Sequence, residues 1–193
     1  MKKEKPKYKQ IVDAAVIVIA DNGYHQAQVS KIAKQAGVAD GTIYLYFKNK
    51  EDILISVFQE KMSLFIENLQ EIIQEDTTPS EKLRLMIENH FKVLSNDTFL
   101  SRVTQLELRQ SNKDLRLQIN SILKEYLDQL DAILVEGVES GAFSKEMDIR
   151  LARQLIFGTI DEVTTSWVMK DHKFDLNSQA SKVYQLLLNG IKA

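Results

Sequence analysis

Apolar residues recur three and four positions apart along almost the whole chain, as in Ile53, Leu54, Val57, Phe58, Met62, Phe65, Ile66 and Leu69. No stretch alternates apolar and polar in the two-residue rhythm of a half-buried strand. Only two Pro and seven Gly interrupt 193 residues, too few breakers for a fold of short strands and turns. The chain is therefore predicted to be all-α. With 44% hydrophobic residues it can bury a sizeable core, as one extended domain or two small ones. Breaks such as Asp76-Thr77-Thr78-Pro79, Asn96-Asp97, Ser111-Asn112, Ser140-Gly141 and His172-Lys173 divide it into nine helices. The first runs from near Pro6 to Asp21, and a short pair follows at about 29–36 and 40–47. A long helix extends from Lys50 to near Glu75, and others lie at about 80–95, 98–111, 114–140, 148–170 and 176–192. Residues 1–50 are expected to form a three-helix head, and 51–193 a helical body.

The net charge of -2 conceals an asymmetry. Residues 1–50 carry nine Lys, no Arg and four acids, a net of +5, whereas the remainder holds 16 basic and 23 acidic groups, a net of -7. A basic head on an acidic body favours a polyanion at one end only. No Cys is present, which excludes disulfides, thiolate metal sites and thiol redox sensing. Lys2, Lys3, Lys5 and Lys7 before an apolar stretch imitate a signal peptide. Asp13 interrupts that stretch, however, and Asp21-Asn22-Gly23 reads as a helix end. No apolar run reaches the eighteen or so residues of a membrane span. A soluble, cytoplasmic protein is expected.

Within the head, Gln28 to Phe47 has the spacing of two short helices crossing steeply, the geometry that lays a helix in the major groove of DNA. Ile32 and Val38 point inward, Ala33 is small where the helices touch, and Gly37 sits at the turn, where positive φ costs least. Asp40 is the expected N-cap of the second helix and Ile43 its inward residue. Thr42, Tyr44 and Tyr46 then project outward, flanked by Lys31, Lys34, Lys48 and Lys50. A plain helical hairpin would also place small residues at its crossing, and either tyrosine could instead be a core aromatic. The conjunction of spacing, exposed Thr and Tyr, and flanking Lys favours duplex DNA.

The stretch from about Tyr8 to Phe58 resembles the DNA-binding domain of the TetR family of bacterial one-component repressors. Gly23-Tyr24, Ile32-Ala33, Ala36-Gly37-Val38, Gly41-Thr42-Ile43-Tyr44 and Tyr46-Phe47-Lys48-Asn49-Lys50-Glu51 carry the likeness. It implies that Thr42, Tyr44 and the Ala39-Asp40-Gly41 segment approach base edges and phosphates, and that Tyr46 and Lys50 bind backbone phosphates. The residue chemistry agrees. Gly41 lets backbone approach the duplex, Thr42 and Tyr44 can touch a thymine methyl or donate a hydrogen bond, and Lys50 opens a helix whose free amides attract phosphate. Ala27-Gln28 departs from the family, which usually places small hydroxyl residues there, so Gln28 or Ser30 is left to cap the first motif helix. With no Arg in the head, recognition is expected to lean on Tyr, Thr, Gln28 and DNA shape.

One head reads too few base pairs for useful specificity, so a two-fold dimer on a palindromic double-stranded operator is expected. The last two helices carry more apolar surface than one chain easily buries, including Leu155 with Val183 and Leu187, while Ala152 and Gly158 permit close helix approach. Family resemblance implies pairing of these helices in a four-helix bundle, a homodimer.

A body of this size exceeds what dimerisation needs, so an effector-binding role is expected. Phe91, Leu94, Val103, Leu106, Phe157, Ile160, Thr164 and Trp167 are candidates for an apolar tunnel, or for an ordinary core. Arg102 and Arg109 lie two turns apart near that wall, with Lys113 and Arg116 beyond, either as a cationic mouth or as solvated surface charge. The segments 103–112, 152–162 and 38–56 resemble, within the same family, the repressors of fatty-acid degradation in Bacillus-type bacteria. That resemblance implies control of β-oxidation genes, released by long-chain acyl-CoA, with no cofactor.

Catalysis is disfavoured. The three His are scattered, no Gly-rich phosphate loop occurs, and adjacent Asp161-Glu162 on a helix point to different sides. Two rivals remain at the level of sequence: a repressor of the same architecture sensing a drug-like apolar molecule, and a constitutive architectural DNA binder.

Overall fold

The computed structural model describes residues 6–191. Among them are nine α-helices and no strand: α1 (Pro6–Gln26), α2 (Val29–Gln35), α3 (Asp40–Ile43), α4 (Lys50–Gln74), α5 (Pro79–Asn96), α6 (Thr98–Glu107), α7 (Lys113–Glu139), α8 (Ile149–Met169) and α9 (Ala180–Ile191). A 3-10 turn at Asn177–Gln179 precedes α9. Lys2, Lys3, Lys5 and Lys192, which the sequence reading counted in the basic head and the last helix, lie outside the described residues. The chain divides into two compact units, one formed by residues through Met62 with Phe99–Ile122, the other by Ser63–Thr98 with residues from Leu123 onward. The first unit is thus discontinuous in sequence.

In the first unit, α1 buries Tyr8, Ile11, Val12, Ala15, Val16 and Ile19, the three-and-four rhythm of one helix face. Its regular course ends at Gly23, whose φ of +71° is a conformation glycine adopts without a Cβ penalty. Ile32, Ala33, Ile43 and Phe47 close the core, and the Tyr8 ring stacks on Phe47 at 5.2 Å. Gly37 has φ +63° at the turn between α2 and α3, as its position predicts.

Several boundaries differ from expectation: α1 runs on to Gln26, and α9 starts at Ala180 after the 3-10 turn. Ala39, not Asp40, is the N-cap of α3: its extended backbone leaves its carbonyl to accept from Thr42 N–H at 2.8 Å, which puts Asp40 in the first turn. α3 stops at Ile43, and Tyr44–Tyr46 form a turn rather than a helix reaching Phe47. α6 ends at Glu107 instead of continuing to residue 111. Beyond it the Gln110 amide donates to the Glu107 carbonyl at 3.2 Å, and the Arg116 guanidinium donates to the carbonyls of Gln110 and Ser111 at 2.9 and 3.2 Å. The Glu107 carbonyl, which another helical turn would have bonded, is thus satisfied by a side chain, and Arg116 satisfies two carbonyls of the bend that follows.

In the second unit α5, α8 and α9 pack together. Thr78 caps α5, accepting from Glu81 N–H, with Pro79 where its missing N–H costs nothing. Asp148 caps α8 by accepting from Leu151 N–H at 3.0 Å. Gly137 on α7 faces Phe143 so closely that a Cβ there would lie 2.0 Å from the ring. No helix is long and apolar enough to cross a membrane, and no group of three or more acidic or His side chains could hold a metal ion, among the described residues.

Candidate DNA interface and effector residues

The expected reading surface of the head is open. Gln28, Ser30, Ala39, Asp40, Gly41 and Lys48 are exposed, Thr42 and Tyr46 are half-buried, and Tyr44 is 59% exposed. A methyl group added at Gly41 would meet no atom within 4 Å, so the backbone there is free to approach an external partner. Tyr46 leans toward the core, its ring 6.5 Å from Tyr8 and 6.4 Å from Phe47, while its edge stays accessible. Gln28 occupies the cap position of α2 but its side chain makes no capping bond. The turn after α3 also presents Leu45, 67% exposed beside Tyr44, which the sequence reading passed over. Its offset of two from buried Ile43 was the available signal, since two helical steps turn a side chain to the opposite face.

Lys50 is engaged within the protein. Its ammonium donates to the carbonyls of Tyr24 and His25 at 2.9 and 3.0 Å and lies 4.7 Å above the Tyr24 ring. Two of its three donors are thus committed to the protein. The helix terminus expected to attract phosphate is capped from within: Asn49 Oδ1 accepts from Asp52 N–H at 2.8 Å, and the Asp52 carboxylate accepts from Lys48 N–H at 2.9 Å. Lys50 therefore reads as a fastener of the α1 end, and Lys31, Lys34 and Lys48 near it in sequence are exposed.

Tyr24 is held from its other side as well. Its backbone N–H donates to Glu107 Oε1 at 2.8 Å, while Glu107 Oε2 accepts from the Gln110 amide at 2.6 Å. Burial and the nearby carboxylates of Glu51 and Glu107 push the Tyr24 phenol up to about 12, so it stays neutral. Arg102 lies 3.8 Å from Asp21. Since α6 ends at Glu107, Arg109 lies past it in the following bend, and Arg116 binds carbonyls. Arg102 and Arg109 therefore do not lie two turns apart on one helix, as a helix running to residue 111 would have placed them.

The expected effector residues fall in both units. Arg102, Val103, Leu106 and Arg109 belong to the first, where Val103 is buried and Leu106 is 51% exposed. Phe91, Leu94, Phe157, Ile160, Thr164 and Trp167 belong to the second. There Phe91, Leu94, Ile160 and Thr164 are fully enclosed and Phe157 is half-buried. The Thr164 hydroxyl donates to Ile160 O at 2.9 Å, and the Trp167 indole donates to Phe174 O at 2.7 Å. Sequence reasoning missed the polar pair among them: His90 Nδ1 lies 2.9 Å from the Tyr126 hydroxyl. Burial holds the imidazole down to about 4 and raises the phenol.

The residues expected at a dimer seam separate by side. Ala152 and Val183 are buried within the protomer, 4% and 5% exposed, so they pack their own chain rather than a partner. Leu155 is 57% and Leu186 76% exposed, and Leu151 and Gly158 share the open face of α8 while Leu187 is half-buried. A Cβ at Gly158 would meet nothing in the protomer, consistent with space kept for another helix.

Residues 11–57 match the family described as bacterial regulatory proteins, tetR family, and residues 58–190 match the C-terminal region of YsiA-like protein. The fatty acid metabolism regulator protein of Bacillus subtilis is 64% identical over 191 residues, 99% of this chain and 98% of that protein. Two solved structures share the fold closely. The transcriptional regulator FadR from Bacillus subtilis in complex with stearoyl-CoA has a TM-score of 0.92 and 64% identity, covering 95% of this chain and 99% of that one. The fatty acid degradation regulator FadR from Bacillus halodurans has a TM-score of 0.92 and 61% identity, covering 96% and 100%.

Proposed function

Because this chain belongs to the tetR family of bacterial regulatory proteins, we propose that it is a homodimeric, cytoplasmic repressor of fatty-acid-degradation genes that leaves a palindromic operator when long-chain acyl-CoA binds. One observation carries this reading: identity of 64% along 99% of the chain with a regulator of fatty acid metabolism, joined to a solved relative of equal identity that holds stearoyl-CoA. The relatives are transcriptional regulators, not enzymes, and no cofactor enters the scheme. Residues 1–50 serve as the DNA-binding head and 51–193 as the effector and dimerisation body.

In this scheme Thr42, Tyr44 and the Ala39-Asp40-Gly41 segment read the groove, while Gln28, Ser30, Tyr46 and Lys48 contact the backbone. Leu155, Gly158 and the open face of α9 pair with a second copy. The apolar side chains gathered around Phe91, Leu94, Phe157 and Ile160 receive the acyl chain. The test selects operator fragments from genomic DNA and measures their binding by fluorescence anisotropy with and without stearoyl-CoA. Coupling between two sites of about 1–3 kcal/mol predicts weakening of about 5- to 150-fold. Equal affinity in both conditions overturns the proposal, and reciprocity requires the operator to weaken stearoyl-CoA binding by the same factor.

A further inference from the structure

Four helices of the second unit contribute rings to one cluster that includes the His90 imidazole. Phe65 from α4, Phe91 from α5, Tyr126 from α7 and the His90 ring itself form a continuous aromatic cluster, with Phe157 of α8 against Tyr126. The His90 centroid lies 5.2 Å from Phe65, 6.3 Å from Phe91 and 5.7 Å from Tyr126. His90 is 7% exposed, and its Nε2 is fully enclosed with no hydrogen-bond partner. A buried polar atom without a partner is rare in folded proteins and calls for an explanation.

The tautomer follows from counting donors. If Nδ1–H donated to the Tyr126 oxygen, both the phenolic proton and the Nε2 lone pair would lack partners. If Tyr126 O–H donates to Nδ1, the imidazole proton sits on Nε2 and only one group is unsatisfied. The second arrangement is therefore favoured, and it presents a single N–H donor inside an uncharged aromatic cluster. Such a donor suits a neutral acceptor oxygen. A phosphate or carboxylate would have to surrender its hydration to reach the same place. Of the five rings, only Phe157 is partly open to solvent.

We propose that His90, held in register by Tyr126, donates through Nε2 to the carbonyl oxygen of an acyl thioester whose chain lies among Phe65, Phe91 and Phe157. This rests on the acyl-CoA reading above and gives that ligand its polar anchor. It also makes the thioester group itself, and not only the apolar chain, a determinant of specificity.

The full chain is titrated calorimetrically with stearoyl-CoA and with S-octadecyl-CoA, the thioether in which a methylene replaces the carbonyl. Wild type is expected to bind the thioester about 3- to 10-fold more tightly, the range of one net hydrogen bond. In His90→Phe the preference falls to about one. On the wild-type protein, the His90 Nε2–H signal in a nitrogen-proton correlation spectrum shifts downfield with the thioester and not with the thioether, a readout independent of how the variant folds. A wild-type preference near one, or the same preference in His90→Phe, overturns the anchor while leaving acyl-CoA binding intact. If wild type binds neither ligand, the acyl-CoA reading falls and the anchor with it. An ordered water on Nε2 would leave the proton signal unmoved by either ligand, and that result also rejects the proposal.

Discussion

Glu107 accepts the backbone N–H of Tyr24 at 2.8 Å across 83 residues of sequence. The carbonyl of the same tyrosine is held by Lys50 at 2.9 Å. Both polar groups of one residue, at the point where α1 gives way to α2, are thus fixed by side chains from α6 and α4. A buried N–H left alone would cost more than the bond itself contributes.

Glu107→Ala removes the acceptor and strands the Tyr24 amide. The expected destabilisation is about 1–3 kcal/mol, with a fall in Tm of about 2–4 °C per kcal/mol for a chain of this size. Hydrogen exchange at the Tyr24 amide should accelerate more than at neighbouring amides of α1. An unchanged exchange rate at Tyr24 would show that the bond is dispensable.

Lys50→Ala and Lys48→Ala separate fastening from phosphate contact. Each phosphate neutralised contributes about 0.9 to the slope of log affinity against log salt, so Lys48→Ala should reduce that slope by about one. Lys50→Ala should leave the slope near the wild-type value and lower Tm. A slope reduced by one in Lys50→Ala would assign its ammonium to DNA after all.

Tyr44→Ala touches a residue whose ring is mostly in solvent, so the fold should be unaffected. Loss of a base contact is expected to weaken operator binding by about 1–3 kcal/mol, roughly 5- to 150-fold, with a smaller effect on random DNA. Equal losses on both DNAs would move Tyr44 from base reading to backbone contact.

Leu155→Glu places a charge on the open face of α8. Sedimentation should show a monomer with unchanged helical content, together with a weaker operator complex. An intact dimer would shift the seam away from Leu155. The buried neighbour Ala152 offers no such test, because a larger side chain there disturbs its own protomer first.

Gly137→Ala puts a methyl group into the Phe143 ring. Overpacking of this kind costs about 1–3 kcal/mol and occasionally more, read as a lower denaturation midpoint. Combining it with Phe143→Leu should recover part of the loss, since the two sites share one space. Full additivity would mean that the backbone had shifted instead.

The sequence revealed what local rules decide. Ile32, Ala33 and Ile43 turned inward because their spacing allows no other packing, and Gly37 took positive φ because the motif turn requires it there. What it hid was set by partners far along the chain. Glu107 is one such case, since it is held on one side by Tyr24, 83 residues away, and only on the other by a residue as near as Gln110. Excess apolar residues on α8 and α9 were visible, but not that Ala152 and Val183 face their own protomer while Leu155 faces out. His90 looked isolated because its companions Phe65, Tyr126 and Phe157 come from three other helices.

The discontinuity of the first unit bears on how the protein is born. Residues through Met62 leave the ribosome before Phe99–Ile122, separated by the 36 residues of Ser63–Thr98. At a synthesis rate of about 5–20 residues per second, that interval lasts roughly two to seven seconds. During it α1 and α4 exist without Glu107, and the Tyr24 amide has no acceptor. Until α6 has been translated, the head lacks one of the two side chains that fix the backbone of Tyr24.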